Sequence, residues 1–316
     1  MEKYSPIILF VYNRPELTVK TINALKENHL AKYSDLFIYS DSNKSEDDRE
    51  NVQKVREIIK GIEGFKSVKI TQSTTNKGLA NSVIGGVTEI IKKYGTVIVL
   101  EDDLVTSPHF LSYMNSALKF YNNKSDIWSI SGYNPISGGD IRQYKDVYFT
   151  GRASSWGWAT WENKWLSNNW NVEFETLDIF YDKTKQKAFN EYGNDLFPML
   201  KDQRDKHINS WAIRWCFNQF LDASYTVYPI ETLVKNLGLS GESTHGSFKS
   251  IQIQLTDKKE FKFSDIYIDS LINKRFKAYY DLKLYNYIGF FLKKLGVYRI
   301  VKSRVKQIYN LLGGKK

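Results

Sequence analysis

The stretch Gly95-Thr96-Val97-Ile98-Val99-Leu100-Glu101-Asp102-Asp103 decides how this chain is read. Five consecutive apolar or β-branched residues after a glycine predict a strand buried on both faces of a sheet. Three carboxylates follow with nothing between them. Such charges are costly near a protein interior unless a cation or a set of donors meets them. In open α/β sheets, ligands gather just beyond the carboxyl ends of the strands. Carboxylate oxygens there suit a hard divalent ion, Mg²⁺ or Mn²⁺, of the kind that links a carboxylate to phosphate oxygens. The plainer alternative is a solvated turn capping the helix that opens at Ser107-Pro108.

Upstream, residues 6–12 predict a first buried strand, closed by Asn13-Arg14-Pro15-Glu16, with Pro15 suited to a first helical position. Val19, Ile22 and Leu25 then recur at helical spacing. Residues 36–39 predict a second strand ending at Ser40-Asp41. A helix near 46–60 turns Val52, Val55 and Ile59 inward, and residues 67–71 predict a third strand. Asn76-Lys77-Gly78 opens a helix that leads into the quoted segment. This alternation predicts an α/β fold, a Rossmann-like, mostly parallel sheet flanked by helices. It sets Arg14, Asp41 and Asp103 on one rim of that sheet.

Downstream, Phe110, Met114 and Leu118 mark an amphipathic helix, and residues 127–131 a further strand. Five of the eight tryptophans fall within residues 151–170, so this segment belongs to a core or to a stacking wall. A helix near 209–222 carries Trp211 and Trp215, a short strand follows at 225–228, and residues 235–246 predict a mobile loop. Trp215 is assigned to the core, with Trp158 nearer the site and Trp211 on a wall for sugar rings. Arg152 and Arg214 suit substrate or core acids equally.

Charge is unevenly spread. Residues 271–316 hold 12 Lys and Arg against one acid, Asp281, a net of +11. The whole chain carries +10, so residues 1–270 carry −1, which argues against a nucleic-acid-binding core. Leu284, Ile288, Phe291, Leu295, Tyr298, Val305, Tyr309 and Leu312 repeat at steps of three and four among lysines and arginines. Such a basic amphipathic tail suits an anionic membrane surface, or a face packed on the body. Division is expected at residue 262, with a nucleotide-binding half over about 1–106, an acceptor-side half over about 107–262, and a tail over 263–316. The lone Cys216 excludes a disulfide framework. No long apolar run and no leader pattern stand out, so a peripheral position on the cytoplasmic face of a membrane is expected.

In their order, Arg14, Asp41, Asn76-Lys77-Gly78 and Leu100-Glu101-Asp102-Asp103 resemble a GT-A glycosyltransferase. Residues 101–111 are similar to the metal-site segment of the Golgi N-acetylglucosaminyltransferases of hybrid N-glycan synthesis. Trp156-Gly157-Trp158 and Thr244-His245-Gly246 are further echoes, and Leu233 to Gly238 is similar to bacterial surface-polysaccharide glycosyltransferases. The resemblance covers about residues 5–250. It implies a nucleotide-diphosphate sugar donor bordered by Arg14, Asp41, Asn76 and Lys77, with Asp103 holding Mn²⁺ or Mg²⁺ between the phosphates. Glu101 and Asp102 would meet ribose and sugar hydroxyls, Trp158 and His245 would line the donor, and Trp211 and Arg152 the acceptor, a glycan or lipid-linked glycan.

One departure concerns the base. Where that family has paired aspartates, this chain has Asn209-Ser210, so Asp202, Asp205 or Glu242 would have to take the proton of an inverting reaction. Two other classes stay open. A nucleotidyltransferase uses a similar sheet, but Asn13-Arg14-Pro15-Glu16 lacks its glycine-rich phosphate loop. A non-catalytic glycan- or membrane-binding relative would account for the missing base.

Overall fold

The computed structural model of the chain describes residues 4–136, 146–170, 177–238 and 254–282. Its centre is β1 (Ile7–Val11), buried along its whole length. Alternate side chains of this strand enter opposite cores: Ile7, Leu9 and Val11 on one face, Ile8 and Phe10 on the other. From β1 the chain runs through α1 (Pro15–Lys26), β2 (Asp35–Ser40), α2 (Arg49–Lys60), β3 (Ser67–Gln72) and α3 (Leu79–Tyr94) into β4 (Thr96–Glu101). Ile22, Leu25, Val55 and Ile59 cover one face of the sheet, while Val83, Val87 and Ile90 cover the other.

The second half adds β5 (Leu104–Thr106), α4 (Phe110–Phe120), β6 (Ile127–Ser131), β7 (Val147–Thr150), β8 (Trp158–Trp161) and α5 (Glu162–Leu166). It continues through α6 (Lys183–Phe189), α7 (Leu196–Arg204), α8 (Trp211–Leu221), β9 (Tyr225–Pro229), β10 (Val234–Asn236) and α9 (Ser270–Tyr280). Eight strands form one mixed sheet in the order β3-β2-β1-β4-β8-β6-β9-β7. Parallel pairs join β1 to β2, β1 to β4, β2 to β3, and β6 to β9. The antiparallel pairs β4–β8, β6–β8 and β7–β9 turn β8 and β7 against the rest. The mostly parallel expectation therefore holds, with these two reversed strands added to it. One consequence matters for the site: the carboxyl ends of β1, β2, β4 and β6 share a rim with the amino end of β8.

A two-stranded ribbon, β5 against β10, sits beside this rim with Asn236 opposite Leu104. It pins the turn that follows β4. Trp158 and Trp211, expected near the ligand, are instead core residues at 1% and 3% exposure. Trp158 stacks on Trp165 and Trp211 at centroid distances of 5.5 and 5.1 Å, so neighbouring indoles occupy its faces. Burial of this cluster holds α3, α5 and α8 on the sheet, at a side-chain scale of about 1.5–3 kcal/mol per large apolar group.

The division expected at residue 262 is not a structural boundary. Phe261 and Phe263 both pack on Tyr113, with centroids 4.9 and 5.8 Å away. Helix α9 is capped by Asp269, which accepts from the amides of Leu271 and Ile272, and it lays Ile272 and Phe276 onto Tyr148 and Tyr228. Residues up to 282 therefore belong to the body. The amphipathic pattern from Leu284 to Leu312 lies outside the described residues. Phe276 is fully buried, so Phe276→Ala should lower the unfolding free energy of the chain by about 3–5 kcal/mol in urea denaturation. A loss below about 1 kcal/mol would show that α9 is not integral.

Candidate active site

Arg14 is aimed by its neighbours. Asn13 Nδ2 donates to Asp48 Oδ1 at 2.7 Å, the Tyr12 hydroxyl donates to Asp48 Oδ2 at 2.9 Å, and Pro15 opens α1. The Arg14 guanidinium, half-exposed, then reaches across from the end of β1 to the end of β4. Its Nη1 donates to Asp103 Oδ2 at 2.8 Å and lies 3.6 Å from Asp102 Oδ1.

The acidic triplet is fixed from several sides. The Tyr12 amide donates to Asp102 Oδ2 at 3.1 Å, the Thr21 hydroxyl on α1 donates to the Asp102 carbonyl at 2.9 Å, and the Leu237 amide donates to the Asp103 carbonyl at 2.8 Å. Asp102 and Asp103 are buried, at 7% and 8% exposure, and Glu101 is partly buried. Burial pushes the Glu101 carboxyl up to about 8, with Asp103 and Asp102 adding to the rise and Arg14 opposing it. Burial likewise pushes Asp102 up to about 6, against Arg14 and with Asp103. Three carboxylates share one guanidinium, and the local field therefore favours a further positive charge.

Gly238 shapes the wall of this site. A Cβ at that position would collide with Asp103 Oδ2. A side chain at position 238 would therefore have to displace the Asp103 carboxylate, and glycine lets the backbone pass close to it. The donor set consists of hard oxygens. Among the described residues, no three His, Cys, Asp or Glu side chains converge on a point that would hold an ion. An ion bound at Asp103 would thus take most of its ligands from phosphate oxygens and water, as Mg²⁺ and Mn²⁺ do in phosphate sites. The residues fit such an ion.

Asp41, at the end of β2, is engaged differently. Its carboxylate accepts from the amides of Ser42, Lys77 and Gly78 at 2.9–3.1 Å. Asn76 Nδ2 donates to the Ser42 carbonyl at 2.6 Å. Asp41 and Asn76 thereby hold the turn that starts α3, where Gly78 takes φ +73°. This turn stands on the same rim as Arg14, two strands from β4.

Other expected residues lie elsewhere. Arg152, buried, forms a two-pronged ion pair with Asp195 at 2.6 and 2.8 Å and lies 3.7 Å from the Tyr280 ring centroid, which corrects the acceptor assignment to a brace between α7 and α9. Asp205 closes α7 and pairs with Arg204 at 2.7 Å, a contact that holds its carboxyl below the usual range and weakens it as a base. Asn209 Oδ1 accepts from Arg214, and Ser210 caps α8, so both carry local structure. Glu242 and His245 lie outside the described residues. Tyr12 and Gly238 were missed: the signal for Tyr12 is its place between strand and Asn13-Arg14, and for Gly238 the run Leu237-Gly238 just beyond the short strand Val234–Asn236.

With this geometry in view, comparison with known proteins adds a family. Residues 86–188 match the GNT-I family. That segment includes the acidic triplet and the resemblance carried by residues 101–111, which the match bears out. No curated protein matches the chain in sequence. Among solved structures, S. aureus TarS is similar at 11% identity and TM-score 0.39, over 73% of this chain and 36% of that one. TarS 1-349 is similar at 13% identity and TM-score 0.36, over 72% and 59%. The mannosyltransferase PcManGT from Pyrobaculum calidifontis, solved with GDP-Man and Mn²⁺, is similar at 12% identity and TM-score 0.34, over 51% and 46%. The chain thus spans less than two thirds of each of these proteins.

Removing the Asp41 carboxylate would orphan three amide donors. Asp41→Ala should therefore destabilise the fold by about 1–3 kcal/mol in chemical denaturation. A variant of unchanged stability would contradict this scaffold role and leave Asp41 to ligand contact alone.

Proposed function

We propose that the chain is a metal-dependent glycosyltransferase of GT-A type, moving a sugar from a nucleotide-diphosphate donor to a glycan hydroxyl. The observation that carries this reading is the buried acidic pair Asp102-Asp103 at the end of β4, facing Arg14 at 2.8 Å from Asp103. The GNT-I family match over residues 86–188 supports it, since the pair lies within that segment.

Departure of a nucleoside diphosphate builds negative charge on phosphate oxygens. Bound at Asp103, Mn²⁺ or Mg²⁺ would neutralise that charge as a Lewis acid. The chain's own part is then clear. Asp103 holds the ion's protein side, and Arg14, already adjacent, adds a fixed positive charge toward the phosphates. Glu101 and Asp102 offer oxygens to hydroxyls of the ribose or the sugar. The turn at Lys77-Gly78, held by Asp41, borders the nucleotide. Of the three carboxylates expected as base, Asp205 is taken up by Arg204 and Asp202 lies 3.5 Å from the exposed His207 ring. Glu242, four residues beyond Gly238, is the one we assign, in an inverting transfer.

The acceptor we propose is a lipid-linked glycan met at the cytoplasmic face of a membrane, with the basic segment beyond residue 282 as the anchoring element. Its support is composition: residues 283–316 hold nine Lys and Arg and no acid. Basic residues beside an anionic surface contribute about 1 kcal/mol each.

Incubation with uridine, guanosine and thymidine diphosphate sugars, with and without Mn²⁺, tests the reading. Metal-dependent release of a nucleoside diphosphate is expected, and Asp103→Ala should lower turnover by on the order of 10²-fold. Release of a sugar 1-phosphate would mark nucleotidyl transfer, and no release from any donor would mark a binding protein. Either result overturns the proposal.

A further inference from the structure

The rim does not end at the acidic triplet. Strand β8 pairs with β4 on one side, Val99 opposite Trp158, and with β6 on the other, Ser131 opposite Trp158. The β6 ladder continues one residue further, the Gly132 amide donating to the Gly157 carbonyl at 2.7 Å, and Trp156 precedes that turn at the amino end of β8, on the rim where β4 and β6 end. The rings of Trp156 and Tyr133 meet edge to face, with centroids 4.5 Å apart at 64°.

The two aromatics differ in exposure. Tyr133 is buried at 2%, whereas Trp156 is only partly buried and keeps surface open at the rim. Tyr133 is braced from behind, its hydroxyl sharing a 2.9 Å hydrogen bond with the Tyr279 hydroxyl on α9. Its amide donates to Ser131 Oγ at 3.1 Å, and the Trp156 amide donates to Ser154 Oγ at 3.2 Å. Gly157, at φ +59°, turns the chain between Trp156 and the buried Trp158 while leaving room for Val234 and Phe110.

We infer that Trp156, positioned by Tyr133 and α9, is the stacking wall for a pyranose ring of the glycan acceptor, on the β8 side of the acidic triplet. This rests on the glycosyltransferase reading above. The side of the site follows from strand order. Asp41 and Arg14, which border the nucleotide in that reading, stand on β2 and β1, while β8 lies across β4 from them. A sugar ring's face of C–H groups packs on an aromatic face, and its hydroxyls then reach the polar groups around it. Aromatic lining with a few polar groups is the usual composition of such sites.

Three proteins test this: the wild type, Trp156→Ala and Trp156→Phe. Each is applied to a printed array of pyranose oligosaccharides in the presence of Mn²⁺ and uridine, guanosine or thymidine diphosphate. Calorimetry on the same proteins measures nucleoside diphosphate affinity. The expected result is retention of a subset of glycans by the wild type, weakened on the order of ten-fold or more in Trp156→Ala. Trp156→Phe, which keeps an aromatic face, should stay within about three-fold of wild type, and nucleotide affinity should be the same in all three. Equal glycan retention by Trp156→Ala overturns the inference. So does parallel loss of nucleotide, which would put Trp156 on the donor side, or nucleotide binding by the wild type with no glycan retained. A wild type that binds no nucleoside diphosphate overturns the glycosyltransferase reading itself, and the subsite with it.

Discussion

Three adjacent carboxylates at the end of a buried strand, set against a single guanidinium, are the constraint on which this structure turns. Strand β4 cannot be moved outward, because Val97 to Leu100 are buried in the two cores. Its last residues are therefore delivered to a place where water cannot fully solvate them. Arg14 compensates part of the charge from 2.8 Å. The remainder appears in Glu101 and Asp102, whose carboxyls rise to about 8 and about 6. Uncompensated negative charge of this kind favours a further cation, and an ion bound at Asp103 would complete its shell from phosphate oxygens and water.

The scaffold around this charge is drawn from both halves of the chain. From the first half come Tyr12, Arg14 and Thr21; from the second, Leu237 and Gly238. The β5–β10 ribbon joins them. The aromatic rim at Trp156 continues the same edge on the opposite side of β4, and α9 supports it from outside. Nucleotide, ion and sugar positions would thus follow one another along the sheet in the order of its strands.

Much of the first half of the fold was legible in the sequence. Strands β1, β2 and β4 are short runs of apolar and β-branched residues, and helices α1 to α3 repeat apolar groups at helical spacing between turn residues. That Arg14, Asp41 and Asp103 share one rim follows from strand order in the sequence. The second half was harder to read for physical reasons. Strand β8, Trp-Ala-Thr-Trp, is buried on both faces and shows no alternation that distinguishes strand from helix. Its tryptophans could not be sorted by sequence: Trp158 and Trp156 lie two apart, yet the turn at Gly157 sends one to the core and leaves the other at the rim. Arg152 and Asp195 are 43 positions apart, so their pairing is a product of tertiary structure. Asp41 was seen as a strand-end acid, but which of its potential partners it meets depends on where the Lys77-Gly78 turn arrives. Helix α9 was grouped with a basic tail because its charges resemble the tail's, while its two buried anchors, Ile272 and Phe276, are too few to announce a docked face.

The central claim is that Asp103 holds a divalent cation against a diphosphate. Its most direct measurement is Mn²⁺ binding, by electron paramagnetic resonance, to the wild type and Asp103→Asn at saturating nucleoside diphosphate. The account predicts that the wild type binds Mn²⁺ in this ternary mixture and that the asparagine variant, unchanged in thermal unfolding, binds it at least about ten-fold more weakly. Equal Mn²⁺ affinity in the two proteins would contradict it.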